Sequence, residues 1–264
     1  MGNAEIQGRL WGTHARDYAE RLEQIGLPLF AAVLDAAHVT SGARLFDAGC
    51  GAGLLSLLAS LRGAHVTALD ASAALVEIAR ERLPRADIRI GELETLPFED
   101  GSFDAVAAVN SVFYAQNMAA AMRELARVTR SGGRVVVTAW GSPERCEFLR
   151  DVMPLVAPLM PPPPPNAAAH PVLALSQPGS LRAEVETAGM RVVDQGEVAC
   201  PFVFPNADAA WRANASAGPN QVAIAHSGET AVRAAFAQAD RSHTRQDGSV
   251  RYENVFQWVA GVRP

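Results

Sequence analysis

Basic residues are too few and too dispersed in this sequence to form a nucleic-acid-binding surface. The 264-residue chain has 23 Lys and Arg against 28 Asp and Glu, which gives a formal net charge of −5. No stretch concentrates basic residues without acidic neighbours. Because binding to a phosphate backbone depends on concentrated positive charge, we do not expect nucleic acid as a partner.

Cysteines and long apolar runs are also scarce. The three cysteines, Cys50, Cys146 and Cys200, lack the spacing of a zinc site and do not suggest a disulfide framework. No apolar run approaches the roughly 20 residues that span a bilayer, and residues 1–6 do not begin a signal peptide. These absences predict a cytoplasmic protein without a membrane span.

Strand-like and helical segments alternate between residue 41 and about residue 140. The strand-like segments are 44–48, 65–69, 88–90, 104–109 and 134–139, and the helical ones are 54–61, 73–83 and 118–129. Glycines at 132 and 133 are expected to end the last of these helices. The alternation predicts an α/β fold with a mostly parallel sheet and helices on both faces.

The remaining segments predict a cap around this core, within one domain. Two helices are expected in residues 1–40, which should cover the active site, and helices in a lid at 201–248. The core would then comprise residues 41–200 and 249–264, with strands at 191–198 and 250–262 and a helix at 180–188. Pro154, Pro158 and the proline run 161–165 should form an extended surface connector.

A glycine-rich turn follows the first strand. The sequence Leu-Phe-Asp-Ala-Gly-Cys-Gly-Ala-Gly at 45–53 places Asp47 just before three alternating glycines, Gly49, Gly51 and Gly53. Alternating glycines let a backbone approach a ligand closely, and the acid can accept hydrogen bonds from an amine. The third glycine of a dinucleotide fingerprint is absent, which disfavours a nicotinamide cofactor. A tight turn without a ligand is the alternative.

Asp70 ends the second strand about 20 residues beyond the glycines, where α/β folds hold ribose hydroxyls. Asp70 and Ala71 also precede a predicted helix, so a helix-capping role is the alternative. The position of Asp70 behind the glycine turn favours the ribose.

Further motifs complete a resemblance. With Ile-Gly-Glu-Leu-Glu-Thr-Leu-Pro-Phe at 90–98 and Gly-Ser-Phe-Asp-Ala-Val at 101–106, residues 45–140 resemble class I S-adenosylmethionine-dependent methyltransferases. They look close to the group that contains the ubiquinone and menaquinone C-methyltransferases and many natural-product enzymes. The resemblance implies an antiparallel last strand, within 252–260, and S-adenosylmethionine as cofactor. It implies cofactor contacts for Asp47, Gly49, Gly51, Gly53, Asp70, Ala71, Glu92, Leu93 and Asn110.

Glu92 departs from this family pattern. The resemblance places Glu92 and Leu93 at the adenine edge and Asn110 near the methionine and the acceptor, but the family usually has Asp where Glu92 stands. A solvated loop face is the alternative for Glu92 and Glu94.

The acceptor site is less defined by the sequence. Aromatic residues suited to a flat or apolar acceptor are Trp11, Tyr18, Phe113, Tyr114, Trp140, Phe202, Phe204 and Trp211, although each also suits a core. Candidate bases are His14, His170, His226 and His243, with surface or structural roles as the alternative. We select Tyr114 and His226 as catalytic candidates.

The sequence therefore predicts methyl transfer to a small-molecule acceptor by direct displacement. The carboxylates that a hard metal ion needs are missing after the fourth and fifth strands, so no metal is expected. One alternative is a non-catalytic protein that binds S-adenosylmethionine. A nucleotide-dependent oxidoreductase is a second alternative, which the missing third glycine disfavours. The acceptor, the methylated atom and the oligomeric state stay open.

Overall fold

A computed structural model describes residues 3–162 and 171–264. The main sheet has seven strands in the order β3-β2-β1-β4-β5-β9-β6. The strands are β1 (Arg44–Ala48), β2 (His65–Asp70), β3 (Asp87–Ile90), β4 (Phe103–Ala108), β5 (Thr129–Trp140), β6 (Arg191–Ala199), β7 (Phe202–Phe204), β8 (Val250–Tyr252) and β9 (Val255–Val262). β1 to β5 are parallel, and β9 runs antiparallel to both β5 and β6. The predicted α/β class and the antiparallel last strand are confirmed.

Helices cover both faces of this sheet and its carboxyl edge. The α-helices are α1 (Asn3–Gly12), α2 (Ala15–Asp17), α3 (Leu27–Ala36), α4 (Leu54–Leu61), α5 (Ala73–Arg82), α6 (Met118–Val128), α7 (Met153–Val156), α8 (Pro171–Leu175), α9 (Ser180–Thr187), α10 (Ala207–Ala215), α11 (Gly218–Ser227) and α12 (Glu229–Asp240). Short π- or 3₁₀-helical turns occupy Tyr18–Leu22, Glu23–Gly26, Val112–Tyr114, Pro143–Arg145, Phe148–Val152 and Ala157–Leu159. None of the helices in the described residues is long and apolar enough to cross a membrane.

Successive side chains of a strand point to opposite faces of the sheet, so the hydrophobic core forms a separate cluster on each face. In β1, Leu45 packs with α3 and α4 on one face, and Phe46 packs with α6 and α9 on the other. The first cluster continues into the lid, where Trp211 and Phe236 are buried. Residues 201–248 therefore share the main hydrophobic core, and the lid is not a detachable insert.

Two predicted boundaries are wrong. The helix α6 ends at Val128, before the glycines, and Gly132 adopts its left-handed conformation (φ 72°) inside a bulge at the start of β5. The predicted strand 250–262 is split into β8 and β9. The split follows from the buried Asn254, whose side-chain oxygen accepts a hydrogen bond from the Phe148 amide at 3.1 Å.

Candidate active site

A cavity of about 740 Å³ lies at the carboxyl edge of the sheet, within the size range of small-molecule sites. The loops after β1, β2, β3, β4 and β5 form its floor, and the N-terminal helices, the segment 148–161 and the lid close over it. The expected extended connector is wrong at Pro154 and Pro158, because these prolines lie in the first turns of α7 and of the 3₁₀ segment Ala157–Leu159, where a missing amide N–H costs no hydrogen bond. In the segment 148–161, Phe148, Met153 and Val156 line this cavity. Only their apolar character pointed to burial, and nothing in the sequence showed what they would face.

The glycine turn is held tightly between strand ends. The Gly49 amide donates to the Leu69 carbonyl at 2.8 Å, and the Gly51 amide donates to the Asp70 carboxylate at 2.8 Å. Gly51 has φ 56°, and a Cβ at this position would lie 2.8 Å from the Tyr18 hydroxyl oxygen. Gly49 and Gly51 line the cavity, and a side chain at Gly51 would displace Tyr18 from the turn.

Gly53 and Asp47 lie behind the cavity wall. A Cβ on Gly53 would contact Ala79 of α5, so this glycine permits close packing between the turn and a helix. The Asp47 side chain is 1% exposed and accepts a hydrogen bond from the Ser56 hydroxyl at 2.7 Å. Burial raises the pKa of Asp47 to about 7, the Ser56 hydroxyl opposes that shift, and the nearby charges of Glu23 and Asp70 add to it.

Asp70 lines the cavity and also organises the turn. Its carboxylate accepts hydrogen bonds from the amides of Gly51 and Ser72, both at 2.8 Å. Burial raises the pKa of Asp70, and these backbone donors oppose the shift. The helix-capping function falls to Ser72, whose hydroxyl accepts from the Leu75 amide at 3.4 Å.

Ala71 is covered by the N-terminal helix. A Cβ on Gly8 of α1 would clash with the Ala71 carbonyl, so the glycine lets α1 lie directly on the end of β2. Ala71 itself lines the cavity. Gly8 was not selected from the sequence, because a single glycine in a helical pattern has no distinguishing spacing.

The loop after β3 supplies Glu92, Leu93 and Glu94 to the cavity wall. Glu92 is exposed at this wall. The Glu94 carboxylate accepts hydrogen bonds from the Gln116 amide at 2.6 Å and the Asn117 amide at 3.2 Å. Glu94 therefore fixes the loop before α6, and Glu92 makes neither of these two hydrogen bonds.

Asn110, at the end of β4, lines the cavity in a left-handed backbone conformation (φ 51°). Its amide N–H donates to the Thr138 hydroxyl at 3.0 Å, and that hydroxyl donates to the Asn110 side-chain oxygen at 3.0 Å. The Thr138 hydroxyl of the neighbouring strand β5 thus fixes both the backbone and the side chain of Asn110.

An ion pair joins the N-terminal helices to the glycine turn. Glu23 is 4% exposed, lies 2.5 Å from Arg82, and accepts a hydrogen bond from the Leu54 amide at 3.1 Å. Arg82 also donates to the carbonyls of Ala52 and Ala19, at 2.8 and 3.1 Å. Sequence reasoning missed this pair, because Glu23 and Arg82 lie far apart in the chain and each resembles a helix-surface charge.

Of the two catalytic candidates, the structure places only Tyr114 in the cavity wall. Its ring meets Trp11 edge to face at a centroid distance of 5.4 Å. Burial raises the pKa of Tyr114, so the phenol stays neutral and suits a hydrogen-bond donor better than a base. His226 lies on the exposed surface of α11, outside the cavity, because the wall at this helix comes from its first turn.

Of the other candidate histidines, His14 and His243 do not line the cavity. His14 is exposed, and His243 is buried beside Asp151, 2.9 Å away, and Glu147. His170 and most of the proline run 161–165 lie outside the described residues.

Six of the eight aromatic candidates line the cavity. They are Trp11, Tyr18, Phe113, Tyr114, Trp140 and Phe202. Phe204 and Trp211 are buried in the core cluster instead, where Trp211 packs edge to face against Phe236 of α12. Phe256 and Phe148 join Trp140 in the wall, with centroid distances of 4.6 and 5.8 Å.

The charge of the wall is acidic. Glu23, Asp70, Glu92 and Glu94 line it, and no Arg, Lys or His from residues 3–162 or 171–264 does. The same residues contain no group of three or more His, Cys, Asp or Glu side chains placed to hold a metal ion.

Comparison with known proteins identifies the domain. Residues 46–137 match the methyltransferase domain family. Residues 46–137 are therefore similar to a methyltransferase domain. Class I methyltransferase domains use S-adenosylmethionine, a sulfonium that also carries an ammonium group, and the carboxylate of Asp70 in the cavity wall suits that positive charge.

Sequence relatives cover only part of this chain. It is 36% identical over 137 residues to malonyl-[acyl-carrier protein] O-methyltransferase from Erwinia pyrifoliae, which is 51% of each chain. It is 35% identical over 128 residues to an uncharacterised protein from Mycobacterium tuberculosis, which is 47% of each chain. The chain thus spans about half the length of the curated relatives it matches.

Solved structures share the fold over most of the methyltransferase domain and its cap. An S-adenosylmethionine-dependent methyltransferase from Thermotoga maritima superposes with a TM-score of 0.56 at 15% identity, covering 97% of this chain and 99% of that one. The [4+2]-cyclase SpnF superposes with a TM-score of 0.57 at 21% identity, covering 89% and 80%.

Proposed function

We propose that this protein transfers the methyl group of S-adenosylmethionine to a small, largely apolar acceptor by direct displacement and without a metal. The observation that carries the proposal is the single cavity in which the glycine turn and Asp70 share a wall with aromatic side chains. Because cofactor and acceptor must meet in line, a shared enclosed cavity is the arrangement that this reaction requires.

Different residues would bind different parts of the cofactor. Bound S-adenosylmethionine supplies an electrophilic methyl group on a positively charged sulfur. Gly49 and Gly51 would hold its methionine part, with the charge of Asp47 acting from behind the turn. Asp70 and Ala71 would hold its ribose, and the loop of Glu92 and Leu93 its adenine. Asn110, fixed by Thr138, would face the methionine and the acceptor.

The cap would exclude water and position the acceptor. Trp11 and Tyr18 meet edge to face at 5.6 Å above the glycine turn, and Asp17 of the N-terminal helices pairs with Arg212 of the lid at 2.5 Å. The N-terminal helices, the lid and the segment 148–161 would therefore close the site together. Tyr114 would donate a hydrogen bond to the acceptor or to the cofactor.

Within this proposal, the ubiquinone and menaquinone C-methyltransferase group is one candidate class of relatives. The malonyl-[acyl-carrier protein] enzyme acts on an acyl carrier protein's malonyl group, as its name states. A free carboxylate acceptor is less suited to this chain, because no cationic side chain of the described residues lines the cavity.

A second candidate function is cofactor binding without methyl transfer. The similarity of fold to a [4+2]-cyclase supports it, because fold alone does not fix the reaction. The test is incubation with methyl-labelled S-adenosylmethionine and a fractionated apolar extract of small molecules. Transfer of label by the wild-type protein and its loss in Asp70→Ala support methyl transfer. Binding of S-adenosylhomocysteine without transfer to any fraction supports the alternative, and stabilisation by NAD or NADP instead contradicts both.

A further inference from the structure

One buried side chain in the cavity wall has an unused hydrogen-bonding group. Asn214, near the end of α10, is 2% exposed and lines the cavity. Its side-chain nitrogen is buried and has no hydrogen-bond partner among the residues that the structure describes. Leaving a buried amide unsatisfied is costly, so such a group calls for a partner that binds there.

The neighbouring amides of the lid are satisfied. The Asn220 side chain donates to the Asn214 carbonyl at 2.7 Å, and the buried Gln221 side chain donates to the Ala215 carbonyl. Asn206 accepts from the Ala209 amide at 2.8 Å, which caps α10. Asn206, Asn220 and Gln221 thus fix the backbone of the lid, whereas the side-chain nitrogen of Asn214 makes no such bond.

The surroundings restrict the chemistry of that partner. Ala217 and Pro219 continue the wall beside Asn214, and the rest of the acceptor region is largely aromatic and aliphatic. The described wall has acidic side chains but no basic one, so an anionic group would enter without a counter-charge. A neutral oxygen on an apolar molecule matches both an amide donor and this wall.

We propose that Asn214 determines acceptor specificity by donating a hydrogen bond from its side-chain nitrogen to a neutral oxygen of an otherwise apolar acceptor. This inference rests on the proposed function, because it takes the cavity to be the acceptor site. The satisfied hydrogen bond would offset the cost of burying the amide, and an acceptor without the oxygen would leave that cost in place.

The test uses three probes of one shape: 2-acetylnaphthalene, 2-ethylnaphthalene and 2-naphthoate. Their dissociation constants are measured by titration calorimetry on the wild-type protein, with and without saturating S-adenosylhomocysteine. We expect the ketone to bind about tenfold more tightly than the hydrocarbon and the carboxylate to bind more weakly than both. Equal affinity for ketone and hydrocarbon, tighter binding of the carboxylate, or no binding of the ketone overturns the proposal.

Asn214→Leu isolates the amide, and Gln221→Leu is its matched control. In Asn214→Leu the ketone preference should disappear while S-adenosylhomocysteine affinity stays unchanged, and Tm should rise by about 2–4 °C because an unsatisfied amide is removed. Gln221→Leu should lower Tm and keep the ketone preference. A ketone preference that survives in Asn214→Leu overturns the proposal, and so does a loss of S-adenosylhomocysteine affinity, which would assign Asn214 to the cofactor.

Failure of the proposed function is a separate result. If the wild-type protein fails to bind S-adenosylhomocysteine, the cofactor assignment is wrong. The ketone preference measured without S-adenosylhomocysteine still decides whether the Asn214 side chain recognises a neutral oxygen.

Discussion

Asp47 should make cofactor binding depend on pH near neutrality. The pKa of its buried carboxyl is raised to about 7, mainly by burial. A ligand with an ammonium group favours the ionised carboxylate, so affinity should increase as the pH rises through 7 and then level off. The perturbation is Asp47→Asn, which keeps the shape and an acceptor for the Ser56 hydroxyl but cannot ionise.

The magnitude follows from that pKa. A carboxyl with a pKa of about 7 is ionised in about one tenth of molecules at pH 6 and about nine tenths at pH 8, so affinity should increase by up to about tenfold. The effect on stability has the opposite sign. Between the unfolded pKa of about 3.9 and the folded pKa, only the folded state holds the proton, so the free energy of unfolding falls as the pH rises. The loss is at most about 4 kcal/mol, and Asp47→Asn should remove it.

Titration calorimetry with S-adenosylhomocysteine at pH 6, 7 and 8 measures the binding effect. 5′-Methylthioadenosine lacks the ammonium group and is the matched control, and its affinity should not follow this curve. Asp47→Asn should flatten the curve for S-adenosylhomocysteine, and its Tm should fall less than the wild-type Tm between pH 5 and 8. A flat wild-type curve, or the same curve in Asp47→Asn, would refute the role given to this carboxylate.

Three other expected outcomes test separate parts of the account. Gly51→Val should weaken S-adenosylhomocysteine binding at least tenfold, because its side chain would meet the Tyr18 hydroxyl, and unchanged affinity by calorimetry would contradict the position of the turn. Gly8→Ala should lower Tm and weaken S-adenosylhomocysteine binding, because α1 must move off the Ala71 carbonyl. Alanine normally stabilises a helix interior by about 1 kcal/mol relative to glycine, so a higher Tm with full affinity would show that α1 does not contact this carbonyl closely. EDTA should leave methyl transfer unchanged, and a loss of turnover that magnesium restores would disprove the metal-free mechanism.

The sequence predicted the fold well where local chemistry decides it. Strand and helix periodicity around the glycine turn identified β1, β2, α4 and α5, because short apolar strands and glycine turns leave clear signals. The boundaries near Gly132 and Asn254 were wrong because tertiary contacts decide them. Asn254 breaks the last strand through a hydrogen bond to Phe148, which is distant in the chain.

The cofactor residues could be proposed from the sequence because they follow strand ends in chain order. The rest of the site could not. The Glu23–Arg82 pair and Asn214 depend on contacts between helices far apart in sequence, and no spacing indicates them. His226 shows the converse error, since a histidine on a lid helix need not face the cavity that the lid covers.

The most direct test of the proposed methyl transfer is the stoichiometry of the reaction with methyl-labelled S-adenosylmethionine and the apolar fraction that accepts label. The account predicts one S-adenosylhomocysteine formed for each labelled methyl group recovered in the acceptor, with both products lost in Asp70→Ala. It would be contradicted if the protein bound S-adenosylmethionine at the glycine turn but left its methyl group in place with every fraction tested.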